Sequence, residues 1–250
     1  MIPDTIRSYR CPAEGLRDRT VMITGAGQGL GKQLALTAAR LGARLILHGR
    51  SSAKLEQLDD EIRAQAAQDP VLLPLDLGQA QDHDFAQMAG AIDAQFGQLH
   101  ALVHCAADLD LPAPLEQQKL EAWMRSLRVN LAAPVAMTRA CVRLLRKSGD
   151  GSVIFTGESH GLRPAPFWGA FAAAKSALTH ATQSFAQESE SDARLRINMI
   201  VPGVIDSPQR SKTHPGELKS ERRPIDSVLP AYLYLMGPAS RGTTGQILEF

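Results

Sequence analysis

The chain has 250 residues, of which 44% are hydrophobic, and a formal net charge of +1. This length and apolar content suffice for one sizeable core and favour a single domain over residues 1–250. The near-neutral charge indicates neither nucleic acid nor an anionic membrane surface as a partner. The sequence shows no targeting segment and no apolar run long enough to span a bilayer, so we expect a cytoplasmic protein.

Cysteine and histidine spacing argues against a disulfide framework and against a metal site. Cys11, Cys105 and Cys141 are odd in number and widely scattered, which favours a reducing compartment. The seven histidines are dispersed, and neither Cys-x-x-Cys nor His-Glu-x-x-His occurs. His100 and His104 lie four apart on a predicted strand, where they would share a face without converging. We therefore predict no metal site.

Short apolar segments alternate with helical stretches along the whole chain. Their continuous apolar character predicts strands covered on both faces, as in a parallel sheet with helices on each side. The predicted strands are 20–24, 44–48, 71–75, 101–104, 152–156, 195–201 and 246–249. The predicted helices are 28–41, 52–67, 79–96, 114–130, 132–147 and 168–190. No linker or internal repeat divides the chain, so we predict one doubly wound α/β domain with a mostly parallel, seven-stranded sheet.

A glycine-rich turn joins the first predicted strand to the first predicted helix. Its sequence is Thr24-Gly25-Ala26-Gly27-Gln28-Gly29-Leu30-Gly31. Glycines let the chain turn tightly and bring backbone N–H groups close to a pyrophosphate, whose charge is favoured at a helix N-terminus. A turn in this context predicts the dinucleotide site of a Rossmann fold, and the alternative is a turn without a ligand.

The end of the second predicted strand distinguishes NADP from NAD. An acidic side chain there would bond a free ribose 2′-hydroxyl and repel a 2′-phosphate. The residues at this place are His48-Gly49-Arg50, without a carboxylate, and Arg50 offers a fork of donors to phosphate. NADP(H) is therefore favoured. NAD(H) stays the alternative if Arg50 is only a solvated residue before the next helix.

Several motifs in this order resemble the short-chain dehydrogenase/reductase family over nearly the whole chain. The matching positions are Thr24-Gly25-x-x-x-Gly29-x-Gly31, Asp76-Leu77, Asn130, Lys175 and Pro202-Gly203. The stretches 167–170 and 233–237 resemble a bacterial subgroup with poorly defined substrates. The resemblance implies a bound nicotinamide dinucleotide, a small-molecule substrate that the sequence does not identify, and a homodimer or homotetramer.

The same resemblance assigns roles to individual residues. The cofactor would contact Thr24, Gly25, Gly27, Gln28, Gly29, Leu30, Gly31, Arg50, Asp76, Leu77, Lys175, Pro202, Gly203 and Ile205. The catalytic positions of the family fall on Asn130, Glu158, Phe171 and Lys175. At two of these the residue differs from the family pattern, because Phe171 replaces the tyrosine of the Tyr-x-x-x-Lys motif and Glu158 replaces the serine. Counting thirteen positions back from Phe171, or three from Gly161, leads to Glu158 both times.

These substitutions change the expected chemistry. In the family the tyrosine phenol exchanges a proton with the carbonyl oxygen, and a phenylalanine ring cannot do so. A positioned acid or base contributes about 10²–10⁴ in rate, so we expect standard carbonyl reduction to be very weak or absent. Glu158 could pair with Lys175, point into solvent, or itself act as general base or acid.

Three interpretations of the whole protein follow. In the first, the chain binds NADP(H) but has lost the usual catalytic serine and tyrosine. In the second, Glu158, Ser159 or an ordered water replaces the phenol in a working oxidoreductase. In the third, the scaffold no longer binds cofactor, and Arg50, Asp76 and the glycines are relics of the fold.

The segment 206–223 is the substrate lid by resemblance. It carries more basic than acidic residues: Arg210, Lys212, Lys219, Arg222 and Arg223 against Glu217 and Glu221. This excess predicts either an anionic ligand or a solvated lid without that meaning. Phe167 and Trp168 either wall a substrate pocket or pack at the start of a helix, and His160 is expected to pack at the surface.

Overall fold

The computed structural model describes residues 1–66 and 69–250, and within these ranges seven parallel strands form one sheet. The strand order is β3-β2-β1-β4-β5-β6-β7. The strands are β1 (Thr20–Thr24), β2 (Arg44–Gly49), β3 (Val71–Pro74), β4 (Ala101–His104), β5 (Gly151–Thr156), β6 (Leu195–Val201) and β7 (Ile247–Glu249). The predicted doubly wound α/β fold is therefore confirmed.

Helices cover both faces of this sheet. They are α1 (Asp4–Arg7), α2 (Gly29–Arg40), α3 (Ser52–Arg63), α4 (Asp82–Phe96), α5 (Leu120–Leu127), α6 (Ala133–Lys147), α7 (Ser159–Leu162), α8 (Gly169–Glu188), α9 (Pro208–Thr213) and α10 (Leu229–Met236). Apolar side chains of α2, α3 and α10 form the core on one face, and those of α4, α6 and α8 form the core on the other. Two-sided coverage explains why every residue of β1 and β6 is buried.

The strand order reverses beside β1, which pairs with β2 on one side and with β4 on the other. Thr24, the last residue of β1, stands level with His48 in β2 and His104 in β4. The connections that leave these strands therefore diverge to opposite faces of the sheet. In open α/β sheets this divergence leaves a crevice at the carboxyl ends of the strands, where ligands bind.

The prediction of a helix over residues 114–130 is wrong for the first part of that range. Leu115–Gln117 is a 3₁₀ turn, and α5 begins only at Leu120. A π-turn at Arg128–Ala132 joins α5 to α6 without the predicted break. Such turns are typical of functional sites, and this one contains the buried Asn130.

Other boundaries shift by a few residues. The predicted helix 52–67 ends at Arg63, and its predicted last residue, Ala67, lies outside the described residues. The helix predicted from residue 79 begins at Asp82, after a capping box of Gln81 and Asp84. The sequence analysis did not predict α1, α7, α9 or α10. The last of these is apolar on nearly every side because it is buried, so it lacks the amphipathic period of a surface helix. Among the described residues, none of the helices has the length and apolar character to cross a membrane.

Candidate functional site

A cavity of about 310 Å³ opens at the carboxyl ends of β1, β2, β4 and β5. The residues predicted from the sequence that line it are Gly25, Gly27, Gln28, Gly29, Leu30, Gly31, Arg50, Asp76, Leu77, Glu158, Phe171, Lys175, Pro202, Gly203 and Ile205. Two other predicted residues, Thr24 and Asn130, do not line the cavity. Their side chains form hydrogen bonds to the backbone of residues that do line it. The crevice expected at the reversal of strand order is thus present.

The glycine turn packs too closely for side chains. Gly25 has a φ of +67°, and a Cβ there would lie 2.7 Å from the backbone nitrogen of Ala106. A Cβ on Gly31 would lie 2.4 Å from the carbonyl oxygen of Gly25. Real Cβ atoms do not approach backbone atoms so closely, so both positions require glycine. The turn therefore presents bare backbone at the start of α2.

Thr24 positions the turn and does not form part of the cavity wall. Its Oγ1 accepts hydrogen bonds from the backbone N–H groups of Cys105 and Ala106, both at 3.1 Å. The buried hydroxyl thereby ties the end of β1 to the segment that follows β4. The resemblance assigned Thr24 to direct cofactor contact, whereas these bonds indicate an indirect role.

Two residues that the sequence analysis missed complete the wall beside Arg50. Ser51 is the N-cap of α3 and accepts a hydrogen bond from the backbone of Lys54 at 3.4 Å. The Lys54 ammonium donates to Gln28 Oε1 at 2.7 Å, which places it over the glycine turn. The signal for both was a serine N-cap directly after Arg50, followed three residues later by a lysine on the first turn of the helix.

Phe171 and Lys175 stand one helical turn apart on α8, and both are 4% exposed. The Lys175 ammonium lies 5.6 Å from the centre of the Phe171 ring and donates a hydrogen bond to the Thr156 carbonyl oxygen at 2.8 Å. Burial lowers the pKa of Lys175 to about 8, and the negative charge of Glu158 opposes part of that shift. The wall therefore holds a buried ammonium beside an aromatic ring without a hydroxyl.

Glu158 is half-buried on the cavity wall and caps α7. Its Oε1 accepts from the backbone N–H of Ser159 at 2.9 Å and from the Ser159 hydroxyl at 2.8 Å. The hypothesis of a direct ion pair with Lys175 is wrong for the described chain, because the carboxylate is held by its neighbour instead. The negative charge of Glu158 nevertheless raises the pKa of Lys175 and so opposes part of the lowering caused by burial.

Asn130 fixes the segment after β4 through its side chain. The amide nitrogen donates to the carbonyl oxygen of Asp108 at 2.7 Å and to that of Ser126 at 3.0 Å. The amide oxygen accepts from the backbone N–H of Asp108 at 3.1 Å. Asp108 itself lines the cavity, so Asn130 positions the wall without touching the cavity.

An aromatic cluster forms the wall near the start of α8. Trp168 lines the cavity, and its ring lies 4.3 Å from that of His160 and 5.8 Å from that of His214. Phe167 has a φ of +74° and is 53% exposed, so it faces solvent. Of the two neighbouring aromatic residues, Trp168 is therefore the one that walls the cavity.

The basic residues of segment 206–223 are largely engaged within the protein. Arg210 pairs with Glu217 at 2.6 Å, and the buried Arg222 reaches both Glu217 and Asp206. Lys212 donates to the Leu109 carbonyl oxygen at 3.1 Å. Because these partners neutralise or occupy the cations, the predicted anionic ligand loses its main support.

The described chain offers no obvious metal site. In residues 1–66 and 69–250, no three His, Cys, Asp or Glu side chains are grouped so that they could hold an ion. The cationic side chains on the described cavity wall are those of Arg50, Lys54, Lys175 and Arg210, and the last of these is paired with Glu217.

Comparison with known proteins agrees with this geometry. A model of the short chain dehydrogenases matches residues 19–218. The uncharacterized oxidoreductase YciK of Escherichia coli K12 is 34% identical over 241 residues, covering 96% of this chain and 95% of its own.

Two solved relatives carry a nicotinamide dinucleotide. A short chain dehydrogenase of Shigella flexneri, complexed with NADP, is 34% identical and superposes with a TM-score of 0.92 over 95% of this chain and 99% of its own. A short chain dehydrogenase of Escherichia coli CFT073, complexed with NADPH, is 35% identical with a TM-score of 0.91 and the same coverage. With its sheet order, its glycine turn and these similarities, the chain belongs to the short-chain dehydrogenase/reductase family.

Proposed function

We propose that the protein binds NADP(H) in this cavity and lacks the standard carbonyl and alcohol dehydrogenase activity of its family. The observation that carries the proposal is the buried Phe171 ring beside Lys175, where the family has a phenol. NADP and NADPH in two related structures support the choice of cofactor. The family scaffold is kept, and the group that exchanges the proton is missing.

The residues on the wall fit NADP(H). Gly25 and Gly31 form a backbone cradle that side chains would fill, as a pyrophosphate at the start of α2 requires. After β2, the described lining residues Arg50, Ser51 and Lys54 offer hydrogen-bond donors and no carboxylate. This composition favours a ribose 2′-phosphate over a free 2′-hydroxyl. NAD(H) is the alternative cofactor.

When bound, the cofactor would supply a hydride donor or acceptor. Lys175 would donate hydrogen bonds to the ribose, since its ammonium faces the cavity end beside Thr156. Phe171 and Trp168 would exclude water there. Phe171 cannot deliver or accept a proton at a substrate oxygen, so hydride transfer to a carbonyl would lack its usual partner step.

A second candidate is a working NADP-dependent oxidoreductase that uses Glu158, Ser159 or water in place of the phenol. The contact that favours it is the 2.8 Å hydrogen bond between the Ser159 hydroxyl and Glu158 Oε1 on the cavity wall. A carboxylate and a hydroxyl joined in this way could pass a proton. The two candidates differ in whether the wild-type protein turns over a carbonyl substrate.

We further propose that residues 1–250 form one domain in which segment 206–223 is a lid. Support comes from the bond of Lys212 to Leu109 and from the contact of His214 with Trp168, which both join the segment to the opposite wall. A homodimer or homotetramer is supported by Leu120 and Met124, which are 70% and 58% exposed one turn apart on α5.

Restoring the missing groups tests the main proposal. We compare wild type with the double variant Phe171→Tyr/Glu158→Ser, measuring NADPH binding by fluorescence and NADPH oxidation with a panel of aldehydes and ketones. We expect both proteins to bind NADPH and only the double variant to turn over, with a gain of about 10²–10⁴ over wild type. Phe171→Leu/Glu158→Ser is the matched control, because it restores the serine without a phenol.

Other outcomes identify the other interpretations. Equal turnover by wild type and the double variant would support the second candidate. Failure of wild type to bind either NADPH or NADH would support a scaffold without cofactor. Tighter binding of NADH than of NADPH would overturn the cofactor assignment while leaving the site in place.

A further inference from the structure

The two ends of the cavity differ in charge. Arg50 and Lys54 stand at the end beside β2, which the proposed function assigns to the 2′-phosphate. The glycine turn lies next to it and would hold the pyrophosphate. The nicotinamide would then occupy the remaining end, whose wall includes Glu158, Phe171 and Lys175.

The carboxylate of Glu158 is fixed at this end. Its Oε1 is held by the Ser159 backbone and hydroxyl at 2.9 and 2.8 Å, so it is not a solvated side chain that can turn away freely. Asp108 is another acid on the described wall, and Arg125 holds it at 2.6 Å. Among the residues that the structure describes, no arginine pairs with Glu158, so this side chain contributes a localised negative charge.

We propose that Glu158 biases the site towards the oxidised cofactor NADP⁺ over NADPH, which rests on the proposed binding of NADP(H). The two forms differ in that the oxidised nicotinamide ring carries a positive charge and the reduced ring is neutral. A negative charge beside the ring attracts the first form and leaves the second nearly unaffected. The contacts of the dinucleotide away from the nicotinamide ring are shared by both forms and cancel in the ratio of their dissociation constants.

The expected size of this bias is about tenfold. Charges several ångströms apart near a protein surface interact appreciably, and the half-exposed position of Glu158 reduces the effect. A tenfold preference for the oxidised form lowers the midpoint potential of the bound two-electron couple by about 30 mV. Glu158 would thus shift the relative affinity of the protein towards NADP⁺ by this factor.

Lys175 opposes this bias, because its ammonium faces the same end of the cavity. Its charge is partly directed to the Thr156 carbonyl oxygen at 2.8 Å. The ratio of the NADP⁺ and NADPH dissociation constants in wild type will reflect both charges together. Removing one of the two charges will show how much that charge contributes to the ratio. Neutralising Glu158 should favour NADPH, and neutralising Lys175 should favour NADP⁺.

Calorimetric titration of NADP⁺ and NADPH tests the proposal without a substrate. We compare wild type with Glu158→Gln, whose amide oxygen can still accept from the Ser159 N–H and keep α7 capped. The ratio of dissociation constants should shift about tenfold towards NADPH. Asp76→Asn removes a carboxylate from the described wall near the adenosine end and should leave the ratio unchanged even where it weakens both complexes.

The outcomes separate this inference from the proposed function. If the ratio is the same in wild type and in Glu158→Gln, Glu158 does not discriminate between the redox states, and NADP(H) binding stands. A shift of equal size in Asp76→Asn would overturn the inference, since a remote charge would then act as strongly. If wild type binds neither form, both the inference and the proposed function fall.

Discussion

Acid should unfold this protein through two buried histidines at the carboxyl ends of β2 and β4. His48 is 1% exposed, and among the described residues neither of its ring nitrogens has a hydrogen-bond partner. His104 is 4% exposed, bonds Thr138 Oγ1 at 2.9 Å and stacks on Phe155. Burial lowers the pKa of His48 to about 4 and that of His104 to about 3.

The direction in which pH changes the free energy of unfolding follows from the number of protons that the folded and unfolded states bind. Below pH 6.5 both histidines take up a proton in the unfolded chain and stay neutral in the native state, so stability falls as the pH is lowered. The loss continues down to the native pKa values. By pH 4, each histidine has removed about 3 kcal/mol from the free energy of unfolding. Together they remove a large part of the total stability of a typical domain.

Urea unfolding between pH 7 and pH 4 measures this loss of stability. The variant His48→Leu isolates the part of the loss that is due to His48. The variant should lose about 3 kcal/mol less than wild type between pH 6.5 and pH 4. At pH 7 it should be more stable by about 1–2 kcal/mol, because leucine replaces a buried imidazole without a partner in the described chain. His180→Leu, on the exposed face of α8, is the matched control and should leave the pH dependence unchanged.

An unaltered pH dependence in His48→Leu would refute the reasoning, since it would mean that His48 titrates alike in both states. A loss of stability at pH 7 would refute the second part, because it would indicate that the ring nitrogens have partners in solution.

Two further substitutions test the packing described above. Gly31→Ala places a Cβ 2.4 Å from the Gly25 carbonyl oxygen, so it should weaken NADPH binding about tenfold or more in a fluorescence titration. Unchanged affinity would show that the turn can relax. Asp150→Ala leaves Arg19 and Arg196 buried without their shared carboxylate. It should lower the free energy of unfolding by about 3–5 kcal/mol in urea, and a loss below about 1 kcal/mol would contradict the importance of this network.

The fold and much of the candidate site could be predicted from the sequence because they depend on local patterns. Continuous apolar runs indicated a sheet covered on both faces, and the position of the glycine turn between β1 and α2 indicated the crevice. Counting along the chain against the motifs of the resembled family assigned Glu158 and Phe171 to its catalytic positions, and both line the cavity with Lys175. The fold and the crevice needed only neighbouring residues and their spacing, whereas these two assignments also needed the resemblance.

The roles of single side chains could not be predicted in this way, since they depend on distant partners. Thr24 bonds backbone some eighty positions away, and Asn130 bonds the segment around Asp108. From the sequence, the cationic side chains of segment 206–223 could have been free to bind an anionic ligand. In the structure, Arg222 forms an ion pair with Glu217 instead. Glu158 reaches its own neighbour and not Lys175, because a helix begins directly after it.

The bonds of Thr24 have a consequence for any attempt to reshape the site. The hydroxyl joins the glycine turn to the backbone of Cys105 and Ala106, so two walls of the cavity are anchored to one atom. A substitution after β4 that shifts this backbone will pull on the turn as well. Changes aimed at substrate choice should therefore alter cofactor affinity in step, and cofactor titrations belong beside every activity assay of such variants.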